Sequence, residues 1–409
     1  MTKHRIFISL LLSTVFLTAC GPKSVSPYGL GDGPYGLGDG GVSSFYQADD
    51  LPRAQAGTLL RQEPLTRQQS LSGAARNLRL LYASTSGLDA KSPEVVSGAL
   101  FLPKGTPPKG GWPLLLWSHG TVGIADRCAP SWTGYVAFHQ EHLNHWLAQG
   151  YAIVASDYQG LGTRGTHPYL ATRPAAFSNL DVIRAVQGAE FPLSKRVVLL
   201  GQSQGAAAAF ATAGHGQTYA PEVDIRGVVA TGIPFFTPKA LMAVRAARPN
   251  DVVDPQLGYN FLALTLVQLI DADFDMDDYL SPRAQPIARE VATICNRDMR
   301  KKITQAGLTY DTSFDRSPNA GLLKAYKVMQ YPRLKLDVPV FIGSGAKDRD
   351  TPLRMQAVLV KRACQAGSKV QAQVYADEDH LSTLNRSLEH STAFVAAAHA
   401  GKPLNGNCF

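Results

Sequence analysis

The sequence predicts an α/β protein: a mainly parallel sheet with helices on both faces and an inserted helical segment. Three observations carry that expectation. From about residue 76, short apolar runs alternate with helical stretches. Nearly every apolar run ends in Gly or a polar residue. The 409-residue chain is 45% hydrophobic and only 18% charged, so it can bury a large core, which a disordered chain cannot. A sheet of this kind is covered on both faces, and its ligands sit beyond the carboxyl ends of its strands.

The amino terminus reads as a targeting signal. Lys3, His4 and Arg5 precede the apolar run IFISLLLSTVFL and then Thr18-Ala19-Cys20-Gly21, which makes 1–19 a signal peptide. LTAC-G is similar to a bacterial lipobox, in which Cys20 becomes the lipid-bearing terminus; plain secretion is the alternative. Gly21 is not the Asp associated with inner-membrane retention, so the outer membrane is favoured. Removing Lys3 and Arg5 lowers the net charge from 40 − 32 = +8 to 38 − 32 = +6. Its basic residues are scattered, so no nucleic-acid partner is expected. Residues 20–44 form a Gly-rich tether with PYGLGDG at 27–33 and again at 34–40. Two seven-residue units cannot build a solenoid core. They read as a spacer, with the tether spanning about 25–30 Å.

The body, 45–409, follows in order. NLRLLYAS and VVSGALFLP read as an opening antiparallel pair. WPLLLWSHG (112–120), YAIVASDYQG (151–160), RVVLLGQS (196–203), GVVATGIP (227–234) and VPVFIGSG (338–345) read as core strands. KVQAQVYADEDH (369–380) adds one more. Between them, HLNHWLAQ, NLDVIRAVQGAE, AAAAFATAG, LRMQAVLVKRA and STAFVAAAHA read as helices. Residues of about 235–330 break the rhythm: helical in composition, without a convincing core strand, and lying between two strands. They read as an inserted cap. Within it, Tyr259–Ile270 is apolar on nearly every side, so it is either a buried cap helix or the lining of an acyl tunnel.

Gly201-Gln202-Ser203-Gln204-Gly205 is the one G-x-S-x-G string in the chain. It follows an apolar strand and opens an Ala-rich helix, the context of the nucleophile elbow of α/β-hydrolases. Its glycines are expected because the turn leaves no room for Cβ atoms. A serine nucleophile needs a base and an orienting carboxylate, which in this fold follow it as acid and then His. Of His380, His390 and His399, only His380 lies at a strand end, so it is the expected base. Asp348 is the expected acid, with Asp350 as the alternative, whose bland reading is a helix cap. The N–H groups of Gln204 and Thr121 are the expected oxyanion donors. His119, before the nucleophile, is expected to be structural.

Several stretches resemble the secretory lipase family of α/β-hydrolases, the yeast lipase A type and its bacterial relatives. They include FYQAD with AGTLLRQEPL (45–65), GGWPLLLWSHGTVG (110–123), ADRCAPS (125–131), DYQGLGTRGTHPYL (157–170) and GQSQGAAAAF (201–210). The resemblance implies a helical cap, a triad of Ser203, Asp348 and His380, and hydrolysis of acyl esters without a cofactor. Rival readings are a peptidase on the same fold and a non-catalytic, lipid-anchored binding module. With Cys20 set aside, four cysteines allow three connectivities. The expected pairing is Cys128–Cys295, tying the oxyanion-side loop to the cap, and Cys364–Cys408, which the resemblance also implies. No metal is expected: DADFDMDD (271–278) spaces its Asp residues like a calcium loop, but Met276 and Pro282 occupy positions needing Gly and Glu.

Overall fold

The computed structural model describes residues 42–48, 51, 53–239, 242 and 248–408. The expected signal peptide, Cys20 and nearly all of the expected tether lie outside the described residues. Just inside them, Phe45 and Tyr46 are buried against the body, and the Tyr46 hydroxyl sits 2.7 Å from Ser131 Oγ.

Nine strands form one sheet in the order β1-β2-β3-β5-β4-β6-β7-β8-β9. In chain order they are β1 (Leu59–Pro64), β2 (Ala74–Thr85), β3 (Pro93–Pro103), β4 (Trp112–Ser118), β5 (Ala152–Ser156), β6 (Leu193–Gln202), β7 (Asp224–Thr231), β8 (Val340–Gly345) and β9 (Val370–Tyr375). The β1–β2, β2–β3 and β3–β5 pairings are antiparallel; every other pairing is parallel. This is the α/β-hydrolase fold. Strand β1 was not expected, because its Arg61, Gln62 and Glu63 give no apolar alternation. It is an edge strand, and pairing with β2 alone defines it.

The central strands are apolar throughout because both faces are covered. In β4, Leu114 and Leu116 point into one core cluster while Leu115 and Trp117 point into another. In β6, Val197 and Leu199 face the first, Val198 and Leu200 the second. Helices α2 (Thr172–Gly188), α3 (Gln204–Tyr219) and α7 (Leu353–Gln365) supply Leu180, Phe210 and Leu359 to the first face. Helices α1 (Ala137–Ala148) and α8 (Leu388–His399) supply Trp146 and Phe394 to the second.

Between β7 and β8 the described residues hold helices and turns, among them α4 (Leu257–Ile270), α5 (Asn296–Gln305) and α6 (Asn319–Val328). Phe261, Leu264, Met299 and Leu322 give this segment a core of its own, joined to the body through Ile124 and Tyr169. Helix α4 is a buried core helix: Leu262, Leu264, Leu266 and Val267 are all inside. Of its residues only Tyr259 lines the large cavity described below; its other apolar side chains pack into the segment's own core.

Both expected disulfides are present, Cys128–Cys295 and Cys364–Cys408. They close 167 and 44 residues of sequence. On the loop-entropy model each contributes roughly 4–5 kcal/mol. The second holds the chain end along β9, where the Asn407 N–H donates to the Val370 carbonyl at 2.9 Å.

Candidate active site

Strand β6 ends at Gln202 and α3 begins at Gln204, leaving Ser203 alone in the turn at φ 58°, ψ −122°. A side chain in that region is strained by roughly 1–3 kcal/mol, so the surrounding structure must enforce it. The enforcement is steric. A Cβ on Gly201 would lie 2.0 Å from the Gly205 oxygen, and one on Gly205 would lie 1.8 Å from the Ser118 oxygen. Only glycine fits at either place, which lets strand, turn and helix close this tightly.

Two loops beyond parallel strands meet Ser203. The loop after β9 carries His380, whose Nε2 lies 2.8 Å from Ser203 Oγ. The loop after β8 carries Asp348, whose Oδ2 lies 2.8 Å from His380 Nδ1. Both partners are buried. The Asp348 carboxylate is fixed from every side: Oδ1 accepts the N–H groups of Asp350 (2.9 Å) and Thr351 (2.8 Å). Oδ2 accepts the Thr351 hydroxyl (2.8 Å) and the Gln356 amide (3.2 Å). Burial alone pushes the His380 imidazole down, but the hydrogen bond and charge of Asp348 outweigh it, and the net pKa is raised above the ordinary value.

Asp350 is turned away from His380. Its Oδ1 accepts the Tyr259 hydroxyl at 2.9 Å and faces Arg300 Nη1 at 3.4 Å, so it joins the inserted helices to the acid loop. It does not cap α7, which has Pro352 at that position. Tyr259 and Arg300 were invisible as partners in the sequence, lying 91 and 50 residues from Asp350.

Among the described residues, neither the Gln204 nor the Thr121 backbone N–H finds a hydrogen-bond acceptor. The loop bearing Thr121 is pinned by the inserted segment: the Asn296 N–H donates to the Val122 carbonyl at 2.8 Å, and Cys295 is bonded to Cys128. Thr121 Oγ1 also lies 3.0 Å from the Tyr169 hydroxyl. On the other side, the Gln204 amide donates to His167 Nε2 at 3.0 Å, while His167 Nδ1–H donates to the Gln159 carbonyl at 2.9 Å. Burial depresses the His167 pKa to about 4, so the ring stays neutral and can accept in this way. His119 is buried below the site, stacked on Tyr158 with ring centroids 4.3 Å apart. His390 (Nδ1 3.2 Å from the Tyr375 hydroxyl) and His399, on α8, lie apart from this group.

Ser203, His380, Thr121 and Gly120 line a cavity of about 1960 Å³. Its walls include Val122, Tyr135, Phe138 and Met355 from the body and Tyr259, Cys295 and Asn296 from the inserted segment. Asp271 pairs with Lys324, and Asp275 accepts the Asp277 N–H at the start of a single turn. Among the described residues no group of three or more His, Cys, Asp or Glu is arranged to hold a metal ion.

A serine held by an imidazole, itself held by a buried carboxylate, is an arrangement suited to acyl transfer. The family model for secretory lipases matches residues 129–407. The chain is similar to Lipase A of Moesziomyces aphidis, 24% identical over 356 residues that cover 80% of this chain and 73% of that one. The structure is similar to Candida antarctica lipase A, with a TM-score of 0.71 at 20% identity, covering 90% of this chain and 87% of that one. It is also similar to the rice cell wall degrading esterase LipA from Xanthomonas oryzae, with a TM-score of 0.67 at 20% identity, covering 84% and 98%.

Proposed function

This chain belongs to the secretory lipase family and is a carboxylic ester hydrolase, and we propose that it cleaves acyl esters through Ser203, His380 and Asp348. The observation that carries the residue assignment is the unbroken line of two 2.8 Å hydrogen bonds from Ser203 through His380 to Asp348. Ser203 Oγ attacks the ester carbonyl as His380 Nε2 takes its proton. Asp348 holds Nδ1–H and balances the imidazolium. The Gln204 and Thr121 N–H groups receive the oxyanion, where one such donor is typically worth about 3–4 kcal/mol. The acyl-enzyme forms as His380 returns the proton to the departing alcohol. Water, activated by the same imidazole, then releases the acid. The helical segment of about 235–330 acts as a cap, with Tyr259 and Asn296 in the cavity wall.

Family membership and two disulfides support export of the protein. Beyond that, we assign 1–19 as a signal peptide, Cys20 as a lipid-bearing terminus and 20–44 as the tether of the 45–409 body, with the outer membrane favoured.

The test is a p-nitrophenyl ester series of increasing acyl length run beside aminoacyl-anilides. Esters are expected to be cleaved far faster than any anilide; faster anilide cleavage would assign a peptidase. The same assay run against pH reads His380. Only the neutral imidazole accepts the serine proton, so kcat/KM is expected to rise with pH through a midpoint above the ordinary histidine value. A midpoint below that value would mean that Asp348 does not hold the ring in solution.

A further inference from the structure

The loop of residues 157–170, between β5 and α2, touches both sides of the site. Among the described residues other than glycine, four adopt a positive φ. Two of them, Tyr158 (φ 72°) and Leu170 (φ 60°), lie in this loop, and Ser203 is a third. Such a φ is an outlier for a bulky side chain, and strain of this kind gathers where the surroundings enforce a functional geometry.

The strained loop delivers three contacts. The Tyr158 hydroxyl donates to the His119 carbonyl at 3.0 Å, and the Tyr169 hydroxyl lies 3.0 Å from Thr121 Oγ1. Both hold the segment that follows β4. The third contact reaches the other side, where His167 Nε2 meets the Gln204 amide at 3.0 Å. The Tyr158 ring stacks on the rings of both His119 and His167, at centroid distances of 4.3 and 6.0 Å, so stacked rings span the two sides.

The direction of the third contact follows from its chemistry. A backbone carbonyl only accepts, so the Gln159 carbonyl, 2.9 Å away, assigns the proton to His167 Nδ1. The buried neutral ring then has a lone pair on Nε2, and Gln204 must turn its NH2 rather than its oxygen toward it. Gln204 opens α3, and first-turn N–H groups have no partner within their own helix. The helix ladder therefore does not aim this peptide, which makes the grip on the side chain matter.

We propose that His167 is a positioning residue for ester cleavage: by gripping the Gln204 side chain it aims the Ser203–Gln204 peptide N–H at the developing oxyanion. His167 does not line the cavity, so it acts through Gln204 alone. The proposal rests on the reading of Ser203 as nucleophile and of the Gln204 N–H as an oxyanion donor.

The test compares p-nitrophenyl butyrate turnover with inhibition by an alkyl trifluoromethyl ketone. Ser203 Oγ adds to the ketone carbon, His380 takes the serine proton, and the ketone oxygen becomes the anion that the N–H must meet. Fluorophosphonate titration counts the competent enzyme in each preparation. Gln204→Met fills a similar volume but donates nothing, and His167→Met removes the acceptor at the other end. Each is expected to lower kcat by roughly 10- to 100-fold, less than or similar to the loss of a whole oxyanion donor. The ketone Ki is expected to rise by the same factor, with KM nearly unchanged. His167→Gln, whose amide oxygen can accept from Gln204, is expected to stay closer to wild type on both measures. A merely structural role lowers the competent fraction and leaves Ki alone. Either Met variant with an unchanged Ki, or His167→Gln no better than His167→Met, would overturn the proposal. A wild type that the ketone does not inhibit would instead bring down the Ser203 reading, and this proposal with it.

Discussion

Ser203→Ala is expected to abolish covalent labelling by a fluorophosphonate probe and to cut kcat on p-nitrophenyl esters by roughly 10⁶-fold. The size of the loss follows from the geometry. His380 Nε2 has one reacting partner, the Ser203 hydroxyl at 2.8 Å, and without it the base has no nucleophile to deprotonate. What survives is the contribution of the oxyanion donors and of binding, roughly 10³–10⁴ over water. The alanine should retain the wild-type fold, because a Cβ already occupies that position. Labelling of the alanine variant, or ester turnover within tenfold of wild type, would remove Ser203 from the mechanism.

The second large effect separates two carboxylates that stand two residues apart. Asp348→Asn is expected to lower kcat by roughly 10⁴-fold, because an amide at this place favours the wrong imidazole tautomer and cannot balance the imidazolium. Asp350→Asn keeps an oxygen for the Tyr259 hydroxyl and its own N–H for Asp348 Oδ1, so its loss should stay below about tenfold. Steady-state kinetics on one soluble ester checks both variants. The reverse order would move the acid role to Asp350.

That pair also marks how far the sequence could be read. The nucleophile is local information: strand, glycine, serine, glycine and helix lie within one short string, and sterics fix their meaning. Asp348 and His380 were legible because chain order and strand ends restrict the candidates to a few residues. The choice between Asp348 and Asp350 rests on which side chain turns toward His380. That direction is decided by Thr351, Gln356, Tyr259 and Arg300, the last two brought in from helices far away in sequence. Edge strand β1 was hidden for a different reason: polar residues pair through their backbones without leaving an apolar pattern. Helix α4 showed its apolarity but not its neighbours, so the sequence alone left core helix and tunnel wall as alternatives. The proposed oxyanion donors are backbone groups, and any residue type could supply them. Only their position after β4 and β6 singles them out as candidates.

The turn at residue 203 sets the requirements of chemistry and of folding against each other. Glycine adopts φ near 58° without the penalty that serine carries, so Ser203→Gly should fold more stably than the wild type, by roughly 1 kcal/mol. In thermal denaturation its midpoint should stand a degree or more higher, and its activity should be gone. A selection that rewarded thermal survival alone would therefore favour the inactive glycine at this codon. Serine persists at such a place only under a second pressure, for turnover, and the rank order of the two midpoints measures how far that pressure holds the sequence from its stability optimum.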